Sequence, residues 1–388
     1  MPLIDSKTRR IPSQRTSTAI NMIRPLLIIF MMLAHIAVLN DAGKIGAASS
    51  LNFSNWLTVF LKAALAKSGV PLLSLISGYL AINSLQKYGY LNLLVNKAKR
   101  LIWPLFWVNL LFIVLITYPA QATDPNIRSD LQIYPFNLLG WFQATFAFYR
   151  LPANQPLFFL KDLYTCFLLI PILIYLAKIK YINLLLIVWM AYKCIYLKTV
   201  FVLPFFPTIF FRFDIVFAFY LGILLFHYQK NLLIENHLLN LCLLFLFFTI
   251  CSLASVIYVT YAKPEHLTLF LWLDFTVKVF SVLGCISIMS LLSGSLLSGK
   301  HSKLSRLLVY LSPFSYTLFL THVITFTFFN RLYFHYFTAP EFFRPSGSLY
   351  VIFILLSAIW VSILLNLLWF KVIAPGIRAI WGSSQSEA

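Results

Sequence analysis

The sequence predicts an all-α, polytopic membrane protein with about ten transmembrane helices and both termini in the cytoplasm. Two observations on composition predict this class: hydrophobic residues make up 61% of the 388 residues, and charged residues make up only 11%. A third observation is that uncharged apolar runs of about twenty residues recur along the chain, as helices that cross a bilayer require. Because a soluble domain would carry more charge, we take the bilayer as the solvent.

The apolar runs place the transmembrane helices in order along the chain. In the first half they cover residues 20–40, 71–85, 101–118, 156–177 and 181–197. An earlier start of the second helix, at Trp56, is an alternative. In the second half they cover residues 201–227, 238–261, 267–293, 307–329 and 349–373. Many Trp and Tyr residues fall at the ends of these runs, which is typical of side chains at a membrane interface.

Basic residues predict the orientation, because Lys and Arg accumulate in cytoplasmic loops. With the N-terminus inside, the cytoplasmic segments hold 17 of the 30 basic residues but only three of the 11 acidic residues. An even number of crossings then returns the C-terminus to the cytoplasm. The reverse orientation fits the charges less well. The 17 basic residues are Lys7, Arg9, Arg10, Arg15, Arg24, Lys87, Lys97, Lys99, Arg100, Lys178, Lys180, Lys230, Lys300, Lys303, Arg306, Lys371 and Arg378.

One membrane domain is predicted, over residues 20–373, with a cytoplasmic N-terminal tail at 1–19 and a cytoplasmic C-terminal tail at 374–388. The start of the chain resembles a signal peptide, but its apolar core is long and carries a histidine, so we expect an uncleaved first helix. No convincing internal repeat is visible, which disfavours the commonest transporter architectures.

The net charge of +19 would suit a nucleic-acid-binding protein, but the sequence offers no soluble module that could bind nucleic acid. We expect the charge to reflect topology and attraction to anionic lipid headgroups instead. The five cysteines fall within apolar runs and lack a C-x-x-C spacing. The sequence therefore predicts neither a metal site nor a disulfide framework.

The first predicted helix carries two ionisable residues, Arg24 and His35, with ten residues between them. Eleven helical steps come to about 20° beyond three full turns and about 16 Å along the axis, so both side chains lie on one face. An ionisable residue inside a membrane helix is costly and usually faces a cavity or the bundle interior. A neutral, packed histidine with an arginine that only anchors the helix is the alternative.

A second basic group precedes the third predicted helix. Lys97 and Arg100 are three residues apart, on one side of a helix start, and Lys99 lies beside them. Arg binds phosphate through a two-pronged guanidinium and Lys as a point charge, so the group can hold phosphates on the same membrane side as Arg24. Simple anchoring at the cytoplasmic surface is an equally good interpretation.

Further charged residues fall within or near the predicted helices. Asp274 and Lys278 are one turn apart, and we expect an internal ion pair. Arg212 and Asp214 are expected to form a structural pair, although Asp214 could also orient a base or bind sugar. Positive-inside logic does not explain the basic residues near the outer boundary, which leads us to expect an anionic acceptor. These residues are Lys62, Lys67, Arg150, Lys161 and Arg212.

Five segments together resemble acyltransferase family 3, a family of membrane proteins. Arg24 and His35 match its R-x10-H pattern, and Lys97 and Arg100 stand where the family has R-x-x-R. The other segments are "GVPLLSLISGYL", similar to the second-helix signature, "FFLKDLYTCFLL", similar to a W-F-L-x-D-L segment, and "SPFSYTLFLTH", similar to a late S-Y…H stretch. They follow the family's order from the first helix to the ninth.

The resemblance implies a bacterial inner-membrane enzyme that carries an acyl group from cytoplasmic acyl-coenzyme A to an extracytoplasmic glycan hydroxyl. Acetyl is the common acyl group in that family, so acetyl-coenzyme A is the expected donor substrate, and no bound cofactor or metal is expected. The resemblance makes His35 catalytic and assigns donor binding to Arg24, Lys97 and Arg100. Lysine at position 97 lacks the guanidinium fork, so this contact departs from the family pattern.

Five other residues are candidates for acceptor binding or support: Lys161, Asp162, Asp214, Tyr316 and His322. Structural roles compete in each case, and for His322 a packed, hydrogen-bonded ring is favoured. The acceptor is expected to be a surface glycan, either an acidic polysaccharide or a polyprenyl-phosphate-linked sugar. The oligomeric state stays open. A transporter or flippase for a glycolipid or small anion is the alternative function, and a scaffold is a third.

A histidine suits acyl transfer from a thioester to a hydroxyl, because the hydroxyl must lose its proton as it attacks. An imidazole titrates near neutrality, and general base catalysis contributes roughly 10²–10⁴-fold to the rate. Burial keeps the ring neutral, as a base must be. Direct attack is favoured, while an acyl-histidine intermediate remains open.

Overall fold

The computed structural model describes residues 13–36, 53–147, 151–196, 212–260, 267–297, 303–336 and 348–368. Within these ranges every regular element is helical, which confirms the predicted all-α class. Seven of the helices are long and apolar enough to cross a membrane, and the number is eight if one bent pair counts as a single span. The count of ten and the orientation stay predictions.

The first half of the chain contributes nine helices. They are α1 (Gln14–Leu33), α2 (Phe53–Ala63), α3 (Gly69–Tyr88), α4 (Tyr90–Phe112), α5 (Tyr118–Thr123), α6 (Leu138–Phe146), α7 (Phe158–Leu168), α8 (Ile170–Ala177) and α9 (Lys180–Tyr196). A 3-10 turn at Leu65–Lys67 links α2 to α3, and a π-helical turn at Ile113–Thr117 links α4 to α5. Helices α7 and α8 meet at 60° and form the bent pair.

The second half contributes six helices. They are α10 (Phe213–His227), α11 (His237–Thr260), α12 (Leu267–Leu297), α13 (Lys303–Leu311), α14 (Ser315–Tyr336) and α15 (Ser348–Leu368). Helix α10 has 15 residues and is too short for the span criterion. The predicted sixth helix began at residue 201, but residues 197–211 lie outside the described part of the chain.

Helices α3 and α10 form the tightest pair in the bundle. A Cβ added at Gly78 would meet the backbone carbonyl of Phe219, and one at Gly222 would meet that of Leu75. Small residues let helix backbones approach closely in a membrane, where packing replaces the hydrophobic effect as the source of attraction. Helix α1 contacts α3, α12, α13 and α14. The core of the protein therefore forms around α1, α3 and α10.

Two predicted boundaries need correction. Helix α1 ends at Leu33, so His35 lies just beyond the helix instead of inside it. Helix α4 begins at Tyr90, directly after Gly89, so Lys97 and Arg100 lie well within a helix and not in a loop. Gly89 has φ +73°, a conformation that glycine adopts without strain, and this residue alone separates α3 from α4.

Candidate active site

His35 is held by the last turn of α1. The amide of His35 donates a hydrogen bond to the carbonyl of Met32 over 2.9 Å, so the chain keeps turning past the end of the helix. The residue is partly buried, whereas its neighbours Met32 and Ile36 are almost fully buried. The end of α1 thus places an imidazole inside the bundle without sealing it from surrounding space.

The ring beside His35 is that of His322, on α14. The two ring centroids are 5.5 Å apart, with 47° between the ring planes. His322 is 1% exposed and packs between the rings of Phe319 and Phe326. The sequence favoured a merely packed role for His322. The structure shows that it is packed and also that it faces the histidine expected to be catalytic.

A hydrogen bond to a backbone carbonyl sets the tautomer of His322. Nδ1 lies 2.7 Å from the carbonyl oxygen of Phe319. Since a carbonyl can only accept, Nδ1 must carry the proton, and in the neutral ring Nε2 is then an acceptor. Among the described residues Nε2 has no hydrogen-bond partner, although it is buried. The site therefore holds a bare imidazole nitrogen next to His35.

The basic residues expected to bind the donor lie together. Arg24 and Lys97 are partly buried, and Lys97 is within electrostatic range of both Arg24 and Arg100. The Lys97 ammonium lies 4.2 Å from the centroid of the Phe167 ring. Nη1 of Arg24 donates to Asn21 over 3.4 Å. We name Arg24, Lys97 and Arg100 the basic cluster.

The basic cluster keeps its positive charge. Within the described part of the chain, no carboxylate lies within salt-bridge distance of any of its three residues. Like charges held close together repel one another, so the arrangement is stabilised when an anion binds. This is the geometry that a phosphate-bearing ligand requires.

Helix α14 joins the basic cluster to the histidines. The hydroxyl of Tyr316 donates to the backbone carbonyl of Arg100, and His322 follows about 9 Å further along the axis. Helix α1 makes the same connection from Arg24 to His35. Two helices therefore carry one residue each to the basic level and one each to the histidine level, which fixes the spacing of the two levels.

Lys161 and Asp162 form a buried structural clamp. The Lys161 ammonium lies 3.3 Å from the Asp162 carboxylate and donates to the carbonyl of Ala147 over 2.9 Å. The other carboxylate oxygen of Asp162 accepts from the backbone amide of Arg212 over 3.1 Å. The pair thus ties the end of α6 and the start of α10 to α7. The contacts described here are all with the protein.

A chain of ion pairs extends from Arg212. Its guanidinium binds the Asp214 carboxylate through both oxygens, over 3.1 and 2.7 Å. Lys278 lies 3.6 Å from Asp214 and 3.4 Å from Asp274, and Asp274 also pairs with Lys67. We name these five residues the ion chain. The predicted pairs of Arg212 with Asp214 and of Asp274 with Lys278 are both present.

The ion chain changes the interpretation of the outer basic residues. Lys67, Lys161 and Arg212 were expected to attract an anionic acceptor, but each of them pairs with a carboxylate. Arg150 lies outside the described residues, and Lys62 is partly exposed on α2. Structural pairing therefore accounts for three of the five positions, and any acceptor role must rest on the net charge of the chain.

The described residues define a class of protein: a helical membrane protein with a histidine pair inside the bundle and an unneutralised basic cluster on the same helices. The described part of the chain contains no group of His, Cys, Asp or Glu that could hold a metal ion. A sequence model described as an acyltransferase domain matches residues 17–367, so the chain belongs to this acyltransferase family, acyltransferase family 3.

A curated relative supports the same family. The chain is 30% identical over 276 residues to the succinoglycan biosynthesis protein ExoH of Rhizobium meliloti (strain 1021). The match covers 70% of this chain and 69% of the relative. No solved structure shows a significant match to the chain. The resemblance expected from five short segments is therefore confirmed, and it extends over most of the protein.

Proposed function

We propose that the protein is an O-acyltransferase of the bacterial inner membrane that modifies a surface glycan. It moves an acyl group, in the first instance acetyl, from cytoplasmic acyl-coenzyme A to a glycan hydroxyl on the other side of the membrane. The observation that carries the proposal is the two-level arrangement of the basic cluster and the histidine pair. A relative that acts in succinoglycan biosynthesis supports the glycan.

The basic cluster would bind the phosphates of the donor. Coenzyme A carries several phosphate groups, and charge-assisted hydrogen bonds from Arg and Lys are the strongest that a protein offers them. Lys97 contributes a point charge and the two arginines contribute planar donors. With its phosphates held there, the donor directs its long pantetheine arm and its thioester along α1 and α14 toward the histidines.

His35 would act as the general base. Its neutral ring accepts the proton of the glycan hydroxyl while the oxygen attacks the thioester carbonyl. The new carbon–oxygen ester bond forms, the carbon–sulfur bond breaks, and the coenzyme A thiolate leaves and takes up the proton. His322 would position His35, since its Nε2 can accept a hydrogen bond from the N–H of the facing ring or from the incoming hydroxyl.

The predicted topology fits this proposal. With the N-terminus inside, Arg24 lies at the cytoplasmic mouth, where acyl-coenzyme A is available, and His35 lies beyond the membrane midplane. A transporter or flippase would also place charges inside the bundle. However, the ion chain joins its carboxylates to lysine or arginine partners, which is what helix packing alone requires of it.

Radiolabelled transfer in nanodiscs tests the proposal. The purified protein receives labelled acetyl-coenzyme A with crude envelope glycan, and succinyl-coenzyme A serves as a second donor because of the succinoglycan relative. We expect label in the glycan with the wild type and a loss of roughly 10²–10⁴-fold in His35→Ala. His227→Ala, which changes an exposed histidine at the end of α10, is the matched control.

Each outcome decides between the candidate functions. Unchanged transfer in a folded His35→Ala protein would reduce His35 to a packing residue. No transfer by the wild type from either donor, combined with substrate movement across vesicles, would establish the transporter instead.

A further inference from the structure

An apolar cleft of about 610 Å³ runs along α10. One wall is formed by α10 with α9, the other wall by α12, and the floor by the start of α3. The residues that α10 contributes recur every three or four positions from Asp214 to Tyr228. Fourteen helical steps correspond to about 21 Å. The cleft is therefore a long groove and not a local defect between two helices.

Both ends of the cleft are defined by polar contacts. At one end Lys278 bridges to Asp214 over 3.6 Å, and both residues line the cleft. At the other end the amide of Ile234 donates to Ser290 over 3.0 Å, near Lys230. Between these ends the lining is hydrocarbon, including Phe217, Leu221, Leu224, Phe275, Val282 and Ile286. Val279 lines the cleft and is exposed, so the cleft reaches the molecular surface.

The length of the cleft distinguishes between lipids. The hydrocarbon core of a bilayer is about 30 Å thick, so each leaflet provides about 15 Å for an acyl chain anchored at its surface. A groove of about 21 Å crosses the midplane. An isoprenoid chain that extends through both leaflets would fill it, whereas the tail of an ordinary phospholipid would leave part of it empty.

The charge at one end suits an anionic headgroup. The ion chain that begins there has three cations, Lys67, Lys278 and Arg212, and two carboxylates. One positive charge is therefore left over in a poorly solvated place, where its interaction with an anion is strong. A phosphate attached to the hydrocarbon chain would supply the missing negative charge.

The same end of the cleft lies on the His35 side of the bundle. Lys67 belongs to the 3-10 turn before α3, and this turn contacts α1. Two residues later, a Cβ at Gly69 would meet the carbonyl of Leu27 and lie 3.1 Å from Cβ of Met31. Met31 is one helical turn before His35. A group held at the ion chain is thus on the side where the acceptor hydroxyl must arrive.

We propose that the cleft holds the hydrocarbon chain of a polyprenyl-phosphate-linked glycan, with its phosphate at the ion chain and its sugar toward His35. This inference rests on the proposed function and names its acceptor as lipid-linked. The cleft then acts as a track that aligns a long lipid with the transfer site, and free glycan would lack this attachment.

Photolabelling of the full chain in phosphatidylcholine nanodiscs tests the inference. The probe is a polyprenyl phosphate that carries a diazirine along its chain, and adducts are mapped by mass spectrometry. We expect adducts on α10 and α12, displaced by unlabelled polyprenyl phosphate but not by phosphatidylglycerol. Polyprenol, which lacks the phosphate, should compete about tenfold less well.

A pair of matched variants locates the site. Leu221→Trp fills the cleft and should lower labelling by about tenfold or more. Leu253→Trp, on an exposed surface of α11, should leave labelling unchanged. Equal displacement by phosphatidylglycerol would overturn the inference and show a general lipid surface, as would full labelling of Leu221→Trp.

The labelling needs no acyl donor, so it separates the two proposals. A protein that is labelled in the cleft but transfers nothing contradicts the acyltransferase function alone. A protein that transfers acyl groups but is not labelled contradicts the lipid-linked acceptor alone.

Discussion

His35 and His322 lie ring against ring, with centroids 5.5 Å apart, although 286 residues separate them in the sequence. Each residue comes from a helix whose other polar contact is with the basic cluster or lies within it. The pairing therefore joins the two ends of the family pattern, R-x10-H in α1 and the S-Y…H stretch in α14, into one site. It also gives His322 a role that its sequence surroundings did not favour.

Replacing His322 by Phe should abolish most of the acyl transfer without unfolding the protein. A phenyl ring fits among Phe319 and Phe326 and leaves no unpaired nitrogen, but it cannot accept a hydrogen bond. We expect kcat to fall by about 10²-fold, the lower end of the general base contribution. The measurement is the transfer rate, with thermal unfolding as the check on the fold.

A conservative variant distinguishes positioning from packing. The side-chain oxygen of His322→Gln can still accept a hydrogen bond, so this variant should recover part of the rate that His322→Phe loses. If the phenyl variant worked as well as the wild type, His322 would be a packing residue, as the sequence alone favoured.

Lys97 should determine the affinity for the donor. Lys97→Gln removes one positive charge from the basic cluster and should raise KM for acyl-coenzyme A by about tenfold, with little effect on kcat. Lys97→Arg restores the guanidinium fork of the family pattern and should keep KM at or below that of the wild type. Titration of the donor in the transfer assay measures both constants.

Lys99 provides the control for this experiment. It lies two residues away and is exposed, so Lys99→Gln changes the same charge at the same membrane surface. A general surface effect would change KM equally in both glutamine variants, and that result would contradict a specific donor site at Lys97.

Asp162 should matter for stability more than for chemistry. Asp162→Asn leaves the Lys161 ammonium buried without its counter-charge, and breaking a buried pair in this way costs about 3–5 kcal/mol. We expect a clearly lower unfolding temperature in detergent. The double variant Lys161→Met with Asp162→Asn should regain part of the loss, because no unpaired charge then remains.

The transfer rate of the folded fraction supplies the second half of this test. A structural clamp predicts a nearly normal rate per folded molecule. An unchanged unfolding temperature with a lost rate would instead place Lys161 and Asp162 in the acceptor site, which the sequence also left open.

Periodic and local features were predictable from the sequence. The apolar runs predicted the membrane helices, because the bilayer requires long uncharged segments wherever the chain crosses it. The pairs Asp274–Lys278 and Arg212–Asp214 were predictable since their members are neighbours in the chain. The position of Arg24 on α1 followed from the period of the helix.

Contacts between distant helices were not predictable in this way. The facing of His35 and His322 depends on how α14 packs against α1, and no local pattern encodes it. The end of α1 at Leu33 was missed because the following residues remain apolar and signal no break. The start of α4 at Tyr90 was missed for the opposite reason: its first turns are polar although helical, so hydropathy assigned them to a loop.

Tyr316 should act on the donor site through α4. Its hydroxyl holds the backbone carbonyl of Arg100 and so fixes the height of the basic cluster against α14. Tyr316→Phe removes one hydrogen bond, worth about 0.5–1.5 kcal/mol, and should raise KM for acyl-coenzyme A by roughly two- to tenfold. Because the histidines keep their contacts, kcat should stay close to that of the wild type. Tyr310→Phe, at an exposed tyrosine of the neighbouring α13, is the control. A fall in kcat at constant KM would mean that the Tyr316 hydroxyl takes part in the transfer itself, and the two-level arrangement would then need a third chemical group.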